Sequence, residues 1–293
     1  GIVMSVTTSK RASDEVLRRP DAQEASSDRG EQSSRRQNRK AGSFNQLFSS
    51  FPPILLGALL LMAWYGVTAS GRINSLILPA PVDVFFSLVD GISSGLYWKH
   101  TLITVQESLF GFLLAVMIAL PLGYGVAKSR LLAHTLQPYL AAGQAIPAIV
   151  IAPFLYLWFG IGTLSVIIVC MLVVLFPMVI NTILGVQTIE GELLEAAQLE
   201  GAAGWSLLSK IEFPLALPAI LAAVRTGLTL SITGAVVGEF FCNPDHGLGA
   251  LVNIALNQYN MAFMFATVIV LAVLAALYFS ATWFLLKLAE VIY

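Results

Sequence analysis

The stretch from Glu192 to Ile220 reads ELLEAAQLEGAAGWSLLSKIEFPLALPAI, with a polar, helix-favouring start and an apolar end. Its first nine residues are Glu, Leu, Ala and Gln, which favour a short helix. Gly201 follows at the position where a residue in the left-handed conformation ends a helix. An apolar residue then recurs at every third position, at Trp205, Leu208 and Ile211. This spacing predicts a second short helix with an apolar stripe.

Pro214 and Pro218 come next, and we expect them to set the start of the following apolar segment. Residues 187–213 form a long acidic loop. It contains one basic residue, a lysine, and five acidic residues: Glu190, Glu192, Glu195, Glu200 and Glu212. A helix of about ten residues is marginal by itself in water. Short amphipathic helices of this kind therefore need a surface to pack on, which is the membrane, the chain itself or the groove of a partner.

The composition of the whole chain is that of a membrane protein. It has 293 residues, of which 57% are hydrophobic and only 11% are charged, whereas soluble domains carry about 25% charged residues. Residues 1–43 are the exception, since they are polar and hold nine of the 16 Lys and Arg residues. Such a segment buries too little apolar surface to fold, which predicts a disordered basic tail before a transmembrane domain of residues 44–293.

Six apolar segments are long enough to cross a bilayer, whose core needs about 20 residues of helix. They cover residues 52–69, 103–127, 138–158, 163–186, 214–241 and 261–287. The segments are continuously apolar and lack the alternation of barrel strands, so the helix is the structure that satisfies their backbone in lipid. The sequence therefore predicts an all-α membrane protein with six transmembrane helices.

Basic residues set the expected orientation, because Lys and Arg are enriched in cytoplasmic loops. With the basic tail in the cytoplasm, four further basic residues lie in or next to inside loops: Lys128, Arg130, Lys210 and Lys287. Only Arg72 and Lys99 remain outside. The expected topology has both termini and the 187–213 loop in the cytoplasm.

The 187–213 loop and the residue after it carry a motif with fixed spacing. Its residues are Glu195, Ala196, Ala197, Gly201, Ile211, Phe213 and Pro214. The pattern resembles the EAA loop of binding-protein-dependent ABC importer permeases, which usually has Leu in place of Phe213. The resemblance implies that this loop docks on a separate ATPase subunit. The coupling residues that it implies are Glu195, Ala196, Ala197, Gly201, Ile211 and Pro214.

The body of the chain is similar to one branch of these permeases, the nitrate, sulfonate and taurine type, which includes importers of pyrimidine precursors and riboflavin. The similar segments are LPAP (78–81), TVQESLFG (104–111), PAIVIAPFLYLWFGIG (147–162), FPMVINT (176–182), GEF (238–240) and GLG (247–249). The resemblance implies the MetI-like fold of type I importers, with five core helices, one N-terminal helix and cytoplasmic coupling helices.

The role that this resemblance implies is the permease subunit of an ATP-driven importer in the bacterial inner membrane. The expected partners are a second permease subunit in a homodimer, two ATPase subunits, an extracytoplasmic binding protein and the lipid bilayer. The solute is expected to be small and polar or anionic. The chain has no GxxxxGK[ST] loop, so ATP is expected on the ATPase. We predict no catalytic residue, cofactor, metal or nucleic acid for this chain.

Four polar residues in the predicted spans are candidates for lining or gating the pathway: Glu239, Glu107, Arg225 and Asn181. Polar and ionisable side chains in a membrane are costly and are functional candidates by default. Other roles stay open for three of them. Glu107 could lie at the outer membrane–water interface. Arg225 could pair with an acid or with backbone carbonyl groups, and Asn181 could form a hydrogen bond between helices.

A secondary transporter or channel, independent of an ATPase, is the alternative from another class, because it also explains six spans. It leaves the acidic loop unexplained, and no internal repeat or broken helix is evident in the sequence. The substrate stays open between a pyrimidine precursor, a riboflavin-like heterocycle, a sulfonate and nitrate. Glu107 and the 238–240 segment favour the heterocycles.

Overall fold

The computed structural model describes residues 55–292, which fold into helices without strands in this range. Their bounds are α1 Leu55–Ala69, α2 Pro81–Ser93, α3 Leu96–Lys128, α4 Arg130–Ala145, α5 Ala148–Phe159, α6 Thr163–Gln187, α7 Gly191–Leu199, α8 Trp205–Cys242, α9 Leu248–Asn257 and α10 Met261–Ile292. Helix α8 starts with one α-turn and a π-helical turn at Leu208–Glu212 before its long α-helical part. Helices α2 to α10 belong to one compact unit that begins at Val67. The predicted tail of residues 1–43 lies outside the described residues.

Four helices, α3, α6, α8 and α10, are long and apolar enough to cross a membrane. Helices α4 and α5 together supply a fifth such segment, but they are bent against each other by 96°. Helix α1 is apolar but shorter, and the start of the predicted first span, at residue 52, lies outside the described residues. The all-α membrane fold is therefore confirmed, with four or five spans in residues 55–292 where the sequence predicted six over a longer range.

The segment predicted as one span at residues 138–158 is broken after Ala145. Ile146 is extended, with φ −78° and ψ 118°, because a following proline disfavours the helical conformation. Pro147 then precedes α5 as its N-cap residue. The expectation that the chain contains no broken helix is wrong.

Helices α3, α6 and α8 pack closely against one another and form the core of the unit. Phe112, Val174 and Met178 are buried between them. Glycine makes the approach possible, since a Cβ on Gly234 of α8 would lie 2.7 Å from the Cα atom of Cys170 in α6. Small residues allow this kind of backbone contact between membrane helices. The three-helix core carries a polar cluster at each of its ends.

Two helix boundaries differ from the prediction, and one further helix was not predicted. Helix α3 begins at Leu96, so Glu107 lies about three turns inside the helix and not at its start. Helix α8 begins at Trp205, so the predicted second short helix is continuous with the fifth span. Pro214 does not interrupt it, because the proline lies in the first turn after the π-helical turn. Helix α9 was not predicted, because its residues were assigned to a loop.

Candidate functional site

Helix α7, the turn after it and the start of α8 form a helical hairpin at residues 191–212, which we call the acidic hairpin. A cleft of about 370 Å³ lies between its two arms. Four of the six predicted coupling residues line this cleft: Ala196, Ala197, Ile211 and Pro214. Glu195 is exposed on α7, and Gly201 lies in the turn. The motif that is spread along the sequence thus forms one compact surface feature.

Gly201 gives the turn of the acidic hairpin its shape. Its φ is +92°, in the region that glycine adopts more readily than other residues. The Gly201 amide donates to the carbonyl oxygen of Gln198 at 3.0 Å, and the Ala202 amide donates to that of Ala197 at 2.9 Å. These two bonds form a Schellman motif, which closes a helix through a left-handed residue. The prediction that Gly201 ends the first helix is confirmed.

The acidic hairpin exposes two large apolar side chains next to this turn. Leu199 is 90% exposed and Trp205 is 78% exposed. Tryptophan is enriched among the residues that contribute most to protein–protein binding. The hairpin is otherwise acidic, and its first helix has only nine residues. A surface of this kind is suited to packing on a partner.

Glu212 ties the acidic hairpin to α3. Its side chain is only 1% exposed. The Tyr124 hydroxyl donates to Glu212 Oε2 at 2.6 Å, and the Lys128 ammonium group forms an ion pair with Oε1. Both partners lie near the end of α3. Because a buried carboxylate is costly without such partners, these contacts hold the base of the hairpin on α3.

A small apolar cluster lies beside Glu212. Val186 of α6 is buried together with Ala216 and Ile220 of α8, and all three line a cavity of about 260 Å³ that also contacts Glu212. The ends of α3, α6 and α8 therefore meet at the base of the acidic hairpin. In the sequence, Glu212 is one of five acids in the 187–213 loop. The one available signal was Lys128, a single basic residue at the end of the predicted second span.

Glu107 and Glu239 lie together at the opposite end of the three-helix core. Their side chains are 1% and 0% exposed, and the two carboxyl groups are close neighbours. Asn243 Nδ2 donates to Glu107 Oε1 at 3.3 Å, and the Gly249 amide donates to Glu239 Oε2 at 2.7 Å. Both acids were predicted as pathway candidates, but their proximity to each other was not predicted. We call these two residues the acid pair.

Residues 243–249 fold over the acid pair. The Leu248 amide donates to the Thr104 hydroxyl at 2.9 Å, and His100 Nδ1 lies 3.0 Å from the carbonyl oxygen of Gly247. Gly247 has a φ of +101°, and a Cβ at this position would overlap the Glu239 carboxyl group. The acid pair is therefore enclosed by the chain itself.

The other two pathway candidates lie apart from the acid pair. Arg225 of α8 is half-buried, and its guanidinium carbon lies 4.7 Å from the centre of the Phe279 ring in α10. Arginine over an aromatic face is a cation–π contact, so the ring takes the place of the acid or carbonyl partner considered from the sequence. Asn181 is half-buried on α6.

A cavity of about 400 Å³ lies beside the break between α4 and α5. Gln144 and Pro147 line it from the break, Phe176 from α6, and Leu230 and Thr233 from α8. Interrupted helices supply binding sites in many membrane transporters. A mainly apolar lining with a few polar groups is also typical of small-molecule sites. None of the four pathway candidates lines this cavity. The cavity was not predicted, because it depends on the break between α4 and α5.

Two further features bear on enzymatic roles. Residues 91–95 read GISSG and have the spacing of the GxSxG nucleophile turn. Ser93 lies at the end of helix α2, however, where its hydroxyl donates to the carbonyl oxygen of Asp90 at 3.1 Å, whereas that turn joins a strand to a helix. Within residues 55–292, no group of three or more His, Cys, Asp or Glu side chains is arranged to hold a metal ion.

Known proteins resemble this chain over most of its length. Residues 111–289 match the family described as binding-protein-dependent transport system inner membrane component. The riboflavin transport system permease protein of Chloroflexus aurantiacus is 44% identical over 222 residues, or 76% of this chain and 82% of that protein. The putative aliphatic sulfonates transport permease protein of Bacillus subtilis is 29% identical over 224 residues, or 76% of this chain and 81% of that protein.

A solved structure shares the fold. The MetNI methionine ABC transporter in an inward-facing conformation has a TM-score of 0.55 and 22% sequence identity, covering 69% of this chain and 95% of the matched chain. The predicted MetI-like fold is confirmed by this likeness. The family match takes in the acidic hairpin, α8 and the cavity beside the α4–α5 break.

Proposed function

Since the chain belongs to the family of binding-protein-dependent transport system inner membrane components, we propose that it is the permease subunit of an ATP-driven importer whose acidic hairpin docks on a separate ATPase subunit. The observation that carries this proposal is the hairpin itself. It presents Leu199 and Trp205 to solvent, and Gly201 closes it. A nine-residue helix of this kind gains stability by packing on a partner.

Two connections carry movement of the hairpin into the membrane in this proposal. Helix α8 continues from the hairpin without a break, and the Glu212–Lys128 ion pair joins the hairpin base to α3. When the ATPase subunits close on ATP, they displace the hairpin as a lever. The lever shifts α3 and α8 between an inward-open and an outward-open state, which is a two-state rigid-body change biased by ATP.

The assembly that we propose contains two copies of this chain and two ATPase subunits, one for each acidic hairpin. The hairpins and both termini face the cytoplasm, as the distribution of basic residues favours. The ends of the helices that carry the acid pair then face the binding protein, which delivers the solute from outside the inner membrane.

A riboflavin-like heterocycle is the solute that we propose. This chain is 44% identical to the riboflavin permease and 29% identical to the sulfonate permease. The cavity beside the α4–α5 break suits such a solute, because Phe176 offers an aromatic ring and Gln144 and Thr233 offer hydrogen-bonding groups. Among residues 55–292, no basic side chain lines this cavity to bind a sulfonate.

Uptake into membrane vesicles tests the proposal. Vesicles that contain this chain, its ATPase and its binding protein are expected to accumulate labelled riboflavin only when ATP is present. Unlabelled taurine and formylaminopyrimidine serve as competitors, and effective competition by either would contradict the proposed solute. Uptake driven by an ion gradient without ATP hydrolysis would support the alternative of a secondary transporter.

Replacing Trp205 with alanine is expected to weaken binding of the ATPase subunit about 30-fold, since truncating a central aromatic residue of an interface costs about 2 kcal/mol. The permease itself should keep its thermal stability, because Trp205 is 78% exposed. Binding is measured with the purified permease and ATPase in detergent. Trp158→Ala is the matched control, since Trp158 is 72% exposed at the opposite end of the core. Equal affinity of the Trp205 and Trp158 variants would show that the hairpin does not dock there.

A further inference from the structure

The acid pair contains two buried oxygens that lack a hydrogen-bond donor, Glu107 Oε2 and Glu239 Oε1. Thr104 lies beside Glu239 and Thr163 lies beside Glu107. The Thr104 hydroxyl donates to the carbonyl oxygen of His100 at 3.1 Å, and neither hydroxyl forms a hydrogen bond with the two unsatisfied oxygens. Unsatisfied oxygens on side chains this deeply buried are rare in proteins and require an explanation. Here both unsatisfied atoms belong to carboxyl groups that are in contact with each other.

Two ionised carboxylates in this position would repel each other strongly. Within residues 55–292, no lysine or arginine forms an ion pair with either acid. Low-dielectric surroundings strengthen the repulsion, and carboxyl groups that share one site do not both ionise. A single proton between the two oxygens removes one negative charge and supplies the missing donor.

We propose that Glu107 and Glu239 bind one proton between them and that this proton fastens α3 to α8. Binding forms one O–H bond, on either carboxyl, and the hydrogen bonds to the facing oxygen of the other acid. The proton comes from solvent, and no other bond changes. The pair then carries one negative charge, which the Gly249 amide and the Asn243 side chain stabilise.

The packing around the acid pair favours a proton over a metal cation. A Cβ on Gly247 would overlap the Glu239 carboxyl group, and one on Gly249 would lie 3.0 Å from Glu239 Oε2. The backbone therefore lies directly against the carboxylate on this side. Glu107 Oε1 is already engaged by Asn243. A sodium ion with several oxygen ligands needs more space than these contacts leave.

Other titratable groups surround the pair on every packed element. His100 lies on α3, Cys170 on α6, Asp245 and His246 in the covering loop, and Tyr278 on α10. His100 Nδ1 contacts the Gly247 backbone, and the Tyr278 hydroxyl lies 2.7 Å from that of Ser108. Cys170 Sγ donates to the carbonyl oxygen of Ser231 at 3.1 Å. His100, Cys170 and Tyr278 thus have partners of their own, and His246 of the covering loop interacts with Glu107 electrostatically. Each acid keeps the other carboxyl beside it.

The bound proton also controls the start of α9. Glu239 accepts the amide of Gly249 in the first turn of that helix, where a negative charge is favourable. Loss of the proton adds a second negative charge beside Glu239 and pushes the two carboxyls apart. Separation of the acids would release the first turn of α9 and the covering loop of residues 243–249.

Infrared spectroscopy of the purified permease tests for the proton directly. At neutral pH we expect a carbonyl-stretch band from one protonated carboxylic acid, because exposed carboxylates are ionised and Glu212 is paired with Lys128. The band should disappear in both Glu107→Gln and Glu239→Gln and remain in Asp90→Asn, an exposed acid on α2. Absence of the band from the unaltered protein, or its persistence in both glutamine variants, would overturn the proposal.

Hydrogen exchange in nanodiscs tests the consequence. In the unaltered protein, backbone amides of residues 243–257 are expected to lose protection at alkaline pH beyond the intrinsic pH effect. Glu107→Gln should abolish that extra pH dependence, because its amide is a permanent donor to Glu239. Glu107→Ala distinguishes the effect of the proton from the effect of side-chain packing. It removes both the carboxyl group and its packing, so it should lower amide protection at every pH. Protection that depends on sodium and not on pH would overturn the proposal in favour of a cation.

Discussion

Replacing Gly201 with valine is expected to reduce ATP-dependent uptake about tenfold or more while the permease still inserts into the membrane. Gly201 has a φ of +92°, and the left-handed conformation costs other residues about 1–2 kcal/mol. About 1.4 kcal/mol corresponds to a factor of ten in an equilibrium constant. Nothing lies within 4 Å of the position that a Cβ would take, so the cost is conformational. The valine variant should lose the Schellman turn and with it the folded hairpin.

Gly201→Asn is the variant to compare with Gly201→Val, because asparagine tolerates the left-handed conformation better than most other side chains. We expect it to keep most of the uptake, measured in vesicles with equal amounts of inserted permease. Gly125→Ala on α3 serves as the control, since that glycine is helical and has open space around it. Normal uptake by the valine variant would contradict the role of the turn. Equal losses with asparagine and valine would point to a direct contact of the glycine instead.

Replacing Glu212 with lysine is expected to abolish most of the uptake, because it places a second cation against Lys128 at a site that is only 1% exposed. Only the Glu212 end of the pair is buried, since the Lys128 side chain is 38% exposed, so the cost stays below the roughly 3–5 kcal/mol of breaking a fully buried pair. The hairpin should detach from α3 while its exposed apolar side chains remain available. ATPase binding is therefore expected to persist, and stimulation of ATP hydrolysis by the loaded binding protein to be lost.

The reciprocal change tests whether the contact itself matters. Lys128→Glu combined with Glu212→Lys restores opposite charges at the same two positions, and the Tyr124 hydroxyl can accept a hydrogen bond from the new lysine. We expect the double variant to recover a large part of the uptake and thermal stability that Glu212→Lys loses. Recovery no greater than in the single variant would contradict coupling through this pair, as would normal stimulation in Glu212→Lys.

The residues that were predicted correctly act through local chemistry. Gly201 ends a helix because of its own backbone freedom, and the apolar spacing of Trp205, Leu208 and Ile211 correctly indicated helix at the start of α8. Continuous hydropathy likewise reveals long membrane helices. The break at Ile146 was missed because hydropathy averages over a window in which one extended residue before Pro147 leaves no trace.

The contacts that were missed depend on packing between distant helices. Glu107 and Glu239 each stood out as acids in apolar surroundings, but their pairing depends on how α3 and α8 cross. Glu212 looked like one loop acid among several until the structure buried it against Tyr124 and Lys128. The sequence thus indicated which ionisable side chains would be energetically costly in apolar surroundings. The fold determined which groups form hydrogen bonds or ion pairs with them.

Because of the π-helical turn at Leu208–Glu212, the number of residues in the motif determines the direction in which its side chains point around the helix axis. Each residue of an α-helix advances about 100° around the axis, and a π-helical turn holds an additional residue. That residue determines which way the side chains before it point relative to those after it. Glu212 is directed inward at α3 while Trp205 is directed outward. The number of residues between Gly201 and Pro214 therefore sets the rotation about the axis of α8 between the side chains before the π-helical turn and those after it. This rotation directs Trp205 away from the core while Glu212 points toward α3.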